Sequence, residues 1–404
     1  MPPVNPFRIG GVVSDAFFTN RADELRRLEK ALLSPGDKLL LFGPRRMGKS
    51  STLDRAIANV TARKGVAFRA DLSGATTVTD IANRILQAAS RAIGRRWQDV
   101  LGTFLKTLTL KVSLSLDPVT GLALPSLSVE GRTDTLEDQR ASLARVLDTI
   151  DRVAEQRKAR VGIVLDEFQT IARFGGEGAE WHLRGIIERH QHVAYVGAGS
   201  ELSLLAAMQG EGRAFYKLFR PLHLGPIDPE HLARWIDERL GAAGVPSGSI
   251  GARVVAIAGP RTRDIVELAR SVYDVAAPVG AVTVTTLDDA LRELLGTYGE
   301  SFRRQWDDLP PSQQNVLRAV AVGESKLYSR PSLLRFGLRS SAEVAQAVEW
   351  LEKREILTRS GKVVSFDNPF LQAWVAEHAL PDVGIIDSTH DIVQRLQAPP
   401  PKDQ

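Results

Sequence analysis

The stretch that decides the fold is Gly43-Pro44-Arg45-Arg46-Met47-Gly48-Lys49-Ser50. It follows the apolar run Lys38–Phe42 and precedes a helical pattern that begins at Ser51. A strand, a loop of the form G-x-x-x-x-G-K-S and a helix make a phosphate-binding loop, because the glycines let backbone N–H groups curl around phosphates at a helix N-terminus. We therefore expect residues 43–51 to bind a nucleoside triphosphate, with Lys49 on the β- and γ-phosphates and the Ser50 hydroxyl on Mg²⁺.

A second apolar run, residues 161–165, ends in two carboxylates, Asp166 and Glu167. Such a run indicates a buried parallel strand. Asp166 is predicted to hold Mg²⁺, and Glu167 to polarise a water for attack on the γ-phosphate. An acidic pair also suits a helix N-terminus. Two parts of one phosphoryl-transfer site in the expected chain order favour the nucleotide site.

Composition is typical of a globular chain of two or three domains, with 404 residues, 43% hydrophobic and 25% charged. There are no cysteines, which excludes disulfides and thiolate metal sites. Neither a secretory signal nor an apolar stretch of the ~20 residues needed to span a membrane is apparent. These features predict a cytoplasmic protein without membrane contact. The net charge of +4 permits nucleic-acid contact without requiring it.

Strand and helix patterns alternate up to about residue 226, which predicts an α/β core with a parallel, doubly wound sheet. Helical patterns at 227–302 indicate a lid. Three helical patterns and a strand-turn-strand at 303–382 indicate a winged helix-turn-helix, and 383–404 read as a tail.

Two segments interrupt the core. Alternating residues on both sides of a turn predict a β-hairpin insertion at about 107–133, which either packs on the domain or serves as a contact arm for a partner. The glycine-rich stretch 174–178 is predicted to be a loop beside the site.

The chain resembles the archaeal-type ATPases of the AAA+/STAND division of P-loop NTPases. The resemblance rests on residues 43–50, on Asp-Glu-Phe-Gln at 166–169, and on a helical lid followed by a winged helix. Asn5-Pro6-Phe7 and the segment 18–25 are similar to the N-terminal pattern of that group. The likeness covers roughly residues 5–380.

The resemblance implies further site residues. Ser200, in Gly199-Ser200, corresponds to the residue that senses the γ-phosphate, although a serine there also suits a helix N-cap. Arg213, in a Gly-Arg pair, corresponds to an arginine that stabilises γ-phosphate charge in cis or in a neighbouring subunit. Arg220 is its rival, and a surface ion pair is the alternative for either arginine.

Two more arginines follow from the same resemblance. Gly259-Pro260-Arg261 is one residue shorter than the Gly-x-x-Arg element of related lids, so Arg261 or Arg263 is predicted to touch nucleotide. Arg21 is predicted to lie near the adenine, or else to be a solvated residue at a helix start.

These features predict a Mg²⁺-dependent ATPase switch whose lid and winged helix relay the nucleotide state to an unknown protein client. No Asn-Lys-x-Asp guanine motif is present, which favours ATP over GTP. A trans-acting Arg213 would imply a nucleotide-dependent homo-oligomer. A small-molecule kinase is disfavoured, because a glutamate beside the metal-binding aspartate suits water activation.

The alternative is a DNA-binding ATPase that resembles replication initiators or loaders. The winged helix favours duplex DNA as a partner, but residues 301–380 hold 11 Lys and Arg against 9 Asp and Glu. The expected recognition helix carries Glu343, Glu349 and Glu352, with Gln346 and Lys353 as its groups suited to DNA. Arg359 and Lys362 lie on the wing. A winged helix that docks on protein is the competing interpretation.

Overall fold

A computed structural model describes residues 4–10, 17–96, 112–116, 123–127, 135–200 and 208–380. The chain divides into two compact units. One is Val12–Gly225, and the other joins Met1–Gly11 to Pro226–Gln404. The core predicted for residues 1–226 ends where this division falls, but its first residues belong to the second unit.

The first unit is an α/β sandwich built on a parallel sheet. Its strands are ordered β2-β5-β6-β1-β7, and every neighbouring pair is parallel. The bounds are β1 Lys38–Phe42, β2 Val66–Asp71, β5 Val161–Asp166, β6 Val193–Gly199 and β7 Arg220–His223. The predicted doubly wound parallel sheet is confirmed, and β7 is a strand that the sequence pattern did not indicate.

Helices cover both faces of this sheet. They are α1 Ala22–Leu32, α2 Lys49–Ala62, α3 Val78–Arg96, α4 Leu136–Arg157 and α5 Thr170–Arg189. Successive strand side chains point to opposite faces. Ile163 and Tyr195 therefore join the core under α3, α4 and α5, whereas Val164 and Val196 join the core under α1 and α2. Both faces are buried, which accounts for apolar runs without a polar alternation.

The hairpin insertion is present as β3 Val112–Leu116 and β4 Ala123–Leu127, which pair antiparallel. The turn predicted at 117–121 lies outside the described residues. Strand β4 lies alongside α3, which favours a hairpin packed on the domain over a free contact arm.

The prediction of a loop at 174–178 is wrong, because α5 is helical throughout this stretch. The glycines there lower the helix propensity. Buried side chains of α5, such as Leu183 and Ile187, lie in the same hydrophobic cluster as side chains of α4. Contact between α4 and α5 thus overrides the local preference of glycine for a loop.

The second unit is helical with one small antiparallel sheet. Its elements are α6 Pro229–Ala242, α7 Gly251–Ala258, α8 Thr262–Ala276, α9 Thr286–Asp307, α10 Pro311–Ala321, α11 Arg330–Arg335, α12 Ser341–Lys353, β8 Leu357–Ser360, β9 Val363–Phe366 and α13 Pro369–His378. The predicted winged helix spans α10 to β9, and α13 was not predicted. One hydrophobic cluster runs from Phe7 through the lid helices to Leu380. Among the described helices, none combines the length and apolarity needed to cross a bilayer.

Gly162 on β5 tests how tightly α1 packs on the sheet. A Cβ there would lie 2.7 Å from Leu32 Cδ2 and 3.0 Å from the Leu32 carbonyl oxygen. We expect Gly162→Ala to lower the free energy of unfolding by about 1–3 kcal/mol, as overpacking does. Urea titration measures the change. Gly185→Ala on α5 is the matched control, since a Cβ there meets no atom within 4 Å. Equal effects of the two substitutions would contradict the packing argument.

Candidate nucleotide and metal site

The loop between β1 and α2 has the backbone shape of a phosphate cradle. Gly48 caps α2 with φ of 87°, and Arg46 also lies in the left-handed region with φ of 65°. At the start of the loop a Cβ on Gly43 would lie 2.3 Å from the Leu224 carbonyl oxygen, so only glycine fits there. Met47 is 3% exposed and packs in the core with Leu53, which anchors the loop. Ser51, also predicted to bind nucleotide, is half-buried in the first turn of α2.

Lys49 is buried at the first position of α2. Its Nζ donates to the carbonyl oxygens of Gly43 at 2.9 Å and Pro44 at 2.7 Å. The ammonium therefore lies inside the loop, where loops of this kind bind phosphate oxygens. If Lys49 bound a triphosphate, charged phosphate oxygens would replace its carbonyl partners, and these accept stronger hydrogen bonds.

Ser50 and Asp166 come together although 116 residues separate them in the chain. The Ser50 hydroxyl lies 3.5 Å from Asp166 Oδ2, and the Asp166 side chain is 7% exposed. A serine hydroxyl and a carboxylate are hard oxygen donors. Mg²⁺ is commonly held by one or two such protein groups together with substrate phosphates. The convergence of the two oxygens beside the phosphate loop therefore fits the predicted metal.

Arg69, which was not predicted, also contacts Asp166. Its Nη1 donates to Asp166 Oδ2 at 2.8 Å, and its Nε lies 2.9 Å from Asp54 Oδ1. Burial alone would lower the pKa of Arg69, but the hydrogen bond to Asp166 and the charge of Asp54 raise it. Burial raises the pKa of Asp54, and the Asp166 charge adds to this against the opposing charge of Arg69. A charged residue inside the apolar strand 66–71 was the sequence signal for this cluster.

Glu167 directly follows β5 and adopts φ of 53°, which is uncommon for a residue with a side chain. Its backbone N–H donates to Asp166 Oδ1 at 3.1 Å. Its carboxylate accepts a hydrogen bond from the side-chain amide of Gln169, which is 1% exposed. Gln169, a second residue that was not predicted as part of the site, thus fixes the orientation of the predicted base.

Ser200 follows β6, the strand that lies between β1 and β5. Gly199 pairs with Phe42 and Gly197 pairs with Leu165, so Ser200 lies beside both the phosphate loop and the acidic pair. Its hydroxyl is buried, and no hydrogen-bond partner is found for it among the described residues. The helix that Ser200 was alternatively expected to cap, from residue 201, lies outside those residues.

Arg21 is buried and anchors the phosphate loop by hydrogen bonds to backbone carbonyl oxygens. Its guanidinium donates to the carbonyl oxygens of Met47 at 3.2 Å and Gly225 at 2.6 Å, and pairs with Glu24 at 3.0 Å. The alternative of a solvated residue is wrong, since Arg21 is 5% exposed. Contact with adenine stays a prediction.

The two candidate arginine fingers lie in ion pairs. Arg213 pairs with Glu177 and, at 3.2 Å, with Glu180 on α5. Glu180 is fully buried; this burial raises its pKa, and the charge of Arg213 opposes the rise. Arg220 pairs with Asp37 at 2.5 Å. Because Arg220 begins β7 and Asp37 precedes β1, this pair lies at the amino end of the sheet, opposite the phosphate loop, and Arg220 cannot act there in cis.

Arg261 belongs to the second unit, where it precedes α8. Its guanidinium binds the carbonyl oxygen and the carboxylate of Asp367, which follows the wing. The pair is largely buried, with side-chain exposures of 8% and 18%. Arg261 therefore ties the lid to the winged helix, and a contact of Arg261 or Arg263 with nucleotide stays a prediction.

Comparison with known proteins agrees with this architecture. A family model described as a probable winged helix domain matches residues 300–377. The Walker-type ATPase of Pyrococcus abyssi superposes with a TM-score of 0.58 and 17% identity, over 92% of this chain and 99% of that one. The chain has the fold of a Walker-type P-loop ATPase. The predicted resemblance and fold class are thereby confirmed at the level of the fold.

Two Aeropyrum pernix proteins share this fold. The ORC2 protein, solved as ADPNP–ADP complexes, has a TM-score of 0.55 and 13% identity over 93% of this chain and 94% of its own. The ORC1 protein, solved in complex with DNA, has a TM-score of 0.50 and 16% identity over 92% and 97%. Among curated proteins, none matches the sequence.

The contacts of Arg21 predict a structural effect without nucleotide. We expect Arg21→Ala to lower the free energy of unfolding of the nucleotide-free protein by about 1–3 kcal/mol, because it leaves buried carbonyl oxygens without donors. Arg26→Ala on the same helix removes an exposed ion pair with Asp23 and is expected to change stability by less than about 0.5 kcal/mol. Urea titration compares the two. If Arg21→Ala weakened only nucleotide affinity, its role would be ligand contact instead.

Proposed function

We propose that the chain is a Mg²⁺-dependent ATPase that acts as a nucleotide switch. The observation that carries this proposal is the 3.5 Å approach of the Ser50 hydroxyl to Asp166 Oδ2, beside a loop in which Lys49 Nζ is already buried. One end of the sheet thus gathers a phosphate cradle, a cation for the phosphates and two oxygen donors for a metal. Positioning and electrostatics are what phosphoryl transfer chiefly requires.

Each side chain has a separate task in this proposal. Lys49 binds the β- and γ-phosphates, and Ser50 with Asp166 holds Mg²⁺, which neutralises charge on the phosphate oxygens. Glu167, held by Gln169, accepts a hydrogen bond from the attacking water and orients it. The buried Ser200 hydroxyl donates to the γ-phosphate, which would supply the partner that it lacks among the described residues.

Arg213 could stabilise charge on the γ-phosphate only if it gave up part of its ion pairing with Glu177 and Glu180. It neutralises the buried Glu180, so leaving that partner would strand a buried carboxylate, which is costly. A finger role in trans, in a nucleotide-dependent homo-oligomer, would therefore need a new partner for Glu180. Sizing the Glu167→Gln protein with and without ATP tests such assembly.

The relay part of the proposal rests on the second unit. One hydrophobic cluster of its described residues joins lid helices such as α8 to the winged helix, and the Arg261–Asp367 pair reinforces this connection. A displacement of the lid by nucleotide would therefore carry the winged helix with it, and a protein client bound there would sense the change. Such a two-state element is the usual form of a nucleotide switch.

Two substitutions separate binding from turnover. We expect Lys49→Ala to abolish binding of a fluorescent ATP analogue, because the phosphate charge loses its cation. Glu167→Gln should bind the analogue normally but release phosphate about 10²- to 10⁴-fold more slowly, the range typical of a lost general base. Phosphate release without any acceptor distinguishes an ATPase from a kinase. Normal turnover by Glu167→Gln would refute its assignment as the base.

Binding of duplex DNA is a second candidate function, favoured by the winged-helix fold. The ion pairs on the winged helix argue against DNA binding. On the expected recognition helix α12, Lys353 pairs with Glu349 at 2.7 Å, and on the wing Arg359 pairs with Glu352 at 3.1 Å. Cations that are already paired offer less to phosphates, so the structure supports a protein-docking winged helix more strongly.

A mobility shift on duplex DNA tests the second function. If this surface binds DNA, Arg359→Ala should weaken binding and reduce its salt dependence, because each phosphate contact releases about one counterion. Arg292→Ala removes an exposed lid arginine that pairs with Asp289 and serves as a control of equal charge. We expect no shift at low salt for the wild-type protein. A salt-dependent shift that Arg359→Ala weakens would establish DNA binding in place of protein docking.

A further inference from the structure

Arg69 occupies an unusual position for a cation. It projects from β2 between Asp54 on α2 and Asp166 at the end of β5. Its Nε and Nη2 lie 2.9 and 3.2 Å from the two Asp54 oxygens, and its Nη1 lies 2.8 Å from Asp166 Oδ2. The three side chains are 27%, 18% and 7% exposed, so solvent screens them only partly. One guanidinium therefore bridges two carboxylates at the proposed metal site.

The effect of Arg69 on metal binding depends on which Asp166 oxygen it contacts. Asp166 Oδ2 is also the oxygen that lies 3.5 Å from the Ser50 hydroxyl, whereas Oδ1 accepts the Glu167 N–H. A metal held by Ser50 and Asp166 would use Oδ2, the oxygen that faces Ser50, or lie next to it. It would then stand close to the Arg69 guanidinium, and two cations sharing one carboxylate oxygen repel each other.

If a metal displaces Arg69 from Asp166, Arg69 can keep its ion pair with Asp54. Its two contacts with Asp54 involve atoms other than the one bound to Asp166, so losing Asp166 leaves a two-pronged ion pair in place. Without a cation between them, the half-buried Asp54 and the buried Asp166 would be two like charges close together. The guanidinium thus compensates the metal-free site and has a partner to keep when a metal arrives.

We propose that Arg69 is the resident counter-ion of the metal site. It holds Asp166 Oδ2 in the metal-free protein and shifts its pairing to Asp54 when Mg²⁺ and nucleotide bind. Arg69 thereby lowers the affinity for the metal, and metal binding breaks the side-chain ion pair between Arg69 on β2 and Asp166 on β5. This inference rests on the proposed function, since the metal site is the one assigned there.

The opposite role makes an opposite prediction. A side chain that merely orients a metal-binding carboxylate raises metal affinity, and its loss costs about 10- to 100-fold. A counter-ion lowers metal affinity, and its loss raises it. The sign of the change in affinity therefore distinguishes the two roles.

The test measures Mn²⁺ affinity by electron paramagnetic resonance, at a saturating concentration of a non-hydrolysable ATP analogue. For Arg69→Gln we expect about tenfold tighter Mn²⁺ binding, the order of effect of one nearby charge at a partly screened site. Arg26→Gln loses the same charge at an exposed position and is expected to leave Mn²⁺ affinity unchanged. Weaker or unchanged Mn²⁺ binding by Arg69→Gln would overturn the inference.

Asp54→Asn provides an independent variant, also if Arg69→Gln does not fold. It weakens the alternative anchor of Arg69, so Arg69 should stay on Asp166 and Mn²⁺ binding should weaken several-fold. Unchanged or tighter binding by Asp54→Asn would contradict the proposal. Thermal melting adds a readout: Arg69→Gln should melt below wild type in EDTA, and the gap should narrow with the analogue and Mg²⁺. A gap that stays constant would also count against it.

The proposed function and this inference fail in different ways. If wild-type protein binds no ATP analogue, the proposed function fails and the metal site falls with it. If wild-type protein binds the analogue and Mn²⁺, but Arg69→Gln leaves Mn²⁺ affinity unchanged, the function stands and only the role of Arg69 is wrong.

Discussion

The proposed chemistry depends on one constraint: the carboxyl ends of three neighbouring parallel strands meet at one edge of a sheet. Strand β1 delivers the phosphate loop, β5 delivers Asp166 and Glu167, and β6, between them, delivers Ser200. Neighbouring strands lie about 4.8 Å apart, so groups from β1 and β5 are about 10 Å apart at the backbone and meet through their side chains. The contact between Ser50 and Asp166 is the result. An antiparallel order would send one of these groups to the far edge.

The parts of the site that the sequence predicts are those whose role follows from the spacing of residues close together in the chain. The phosphate loop needs glycine at 43 and 48 because of a close approach to Leu224 and a positive φ, and both demands appear as a motif. Arg69 and Gln169 were missed for different reasons. The charge inside the strand 66–71 marks Arg69 as unusual, but its partner Asp166 lies 97 residues away, so no local pattern identifies the contact. Gln169 lies within a predicted motif, but its hydrogen bond to Glu167 depends on the left-handed turn at Glu167.

The errors of fold prediction also arise from tertiary contacts that override local preference. Glycines at 174–178 favour a loop by themselves, yet the stretch is helical where α5 packs against α4. The short strand β7 contains Pro221 and has exposed ends, so its sequence lacks an apolar strand pattern, and pairing with β1 creates it. Arg220 was considered for the nucleotide site by its position in the chain, whereas the direction of β7 places it at the opposite edge. Strand direction is a property of topology that spacing alone does not report.

Pairing with internal partners stabilises the charged groups of the proposed site and also limits its proposed chemistry. Lys49 binds loop carbonyl oxygens, Arg69 pairs with Asp166 and Arg213 pairs with Glu180, so each of these three cations has a partner inside the protein. Buried charges without partners are costly, and a site that binds a triphosphate and a metal, as proposed here, needs internal partners for both signs of charge. The proposed binding would therefore exchange internal partners for ligand atoms. Because these exchanges would involve α2, β2, β5 and α5 together, the proposed ligand binding would be coupled to the packing of the whole sheet edge, as a nucleotide switch requires.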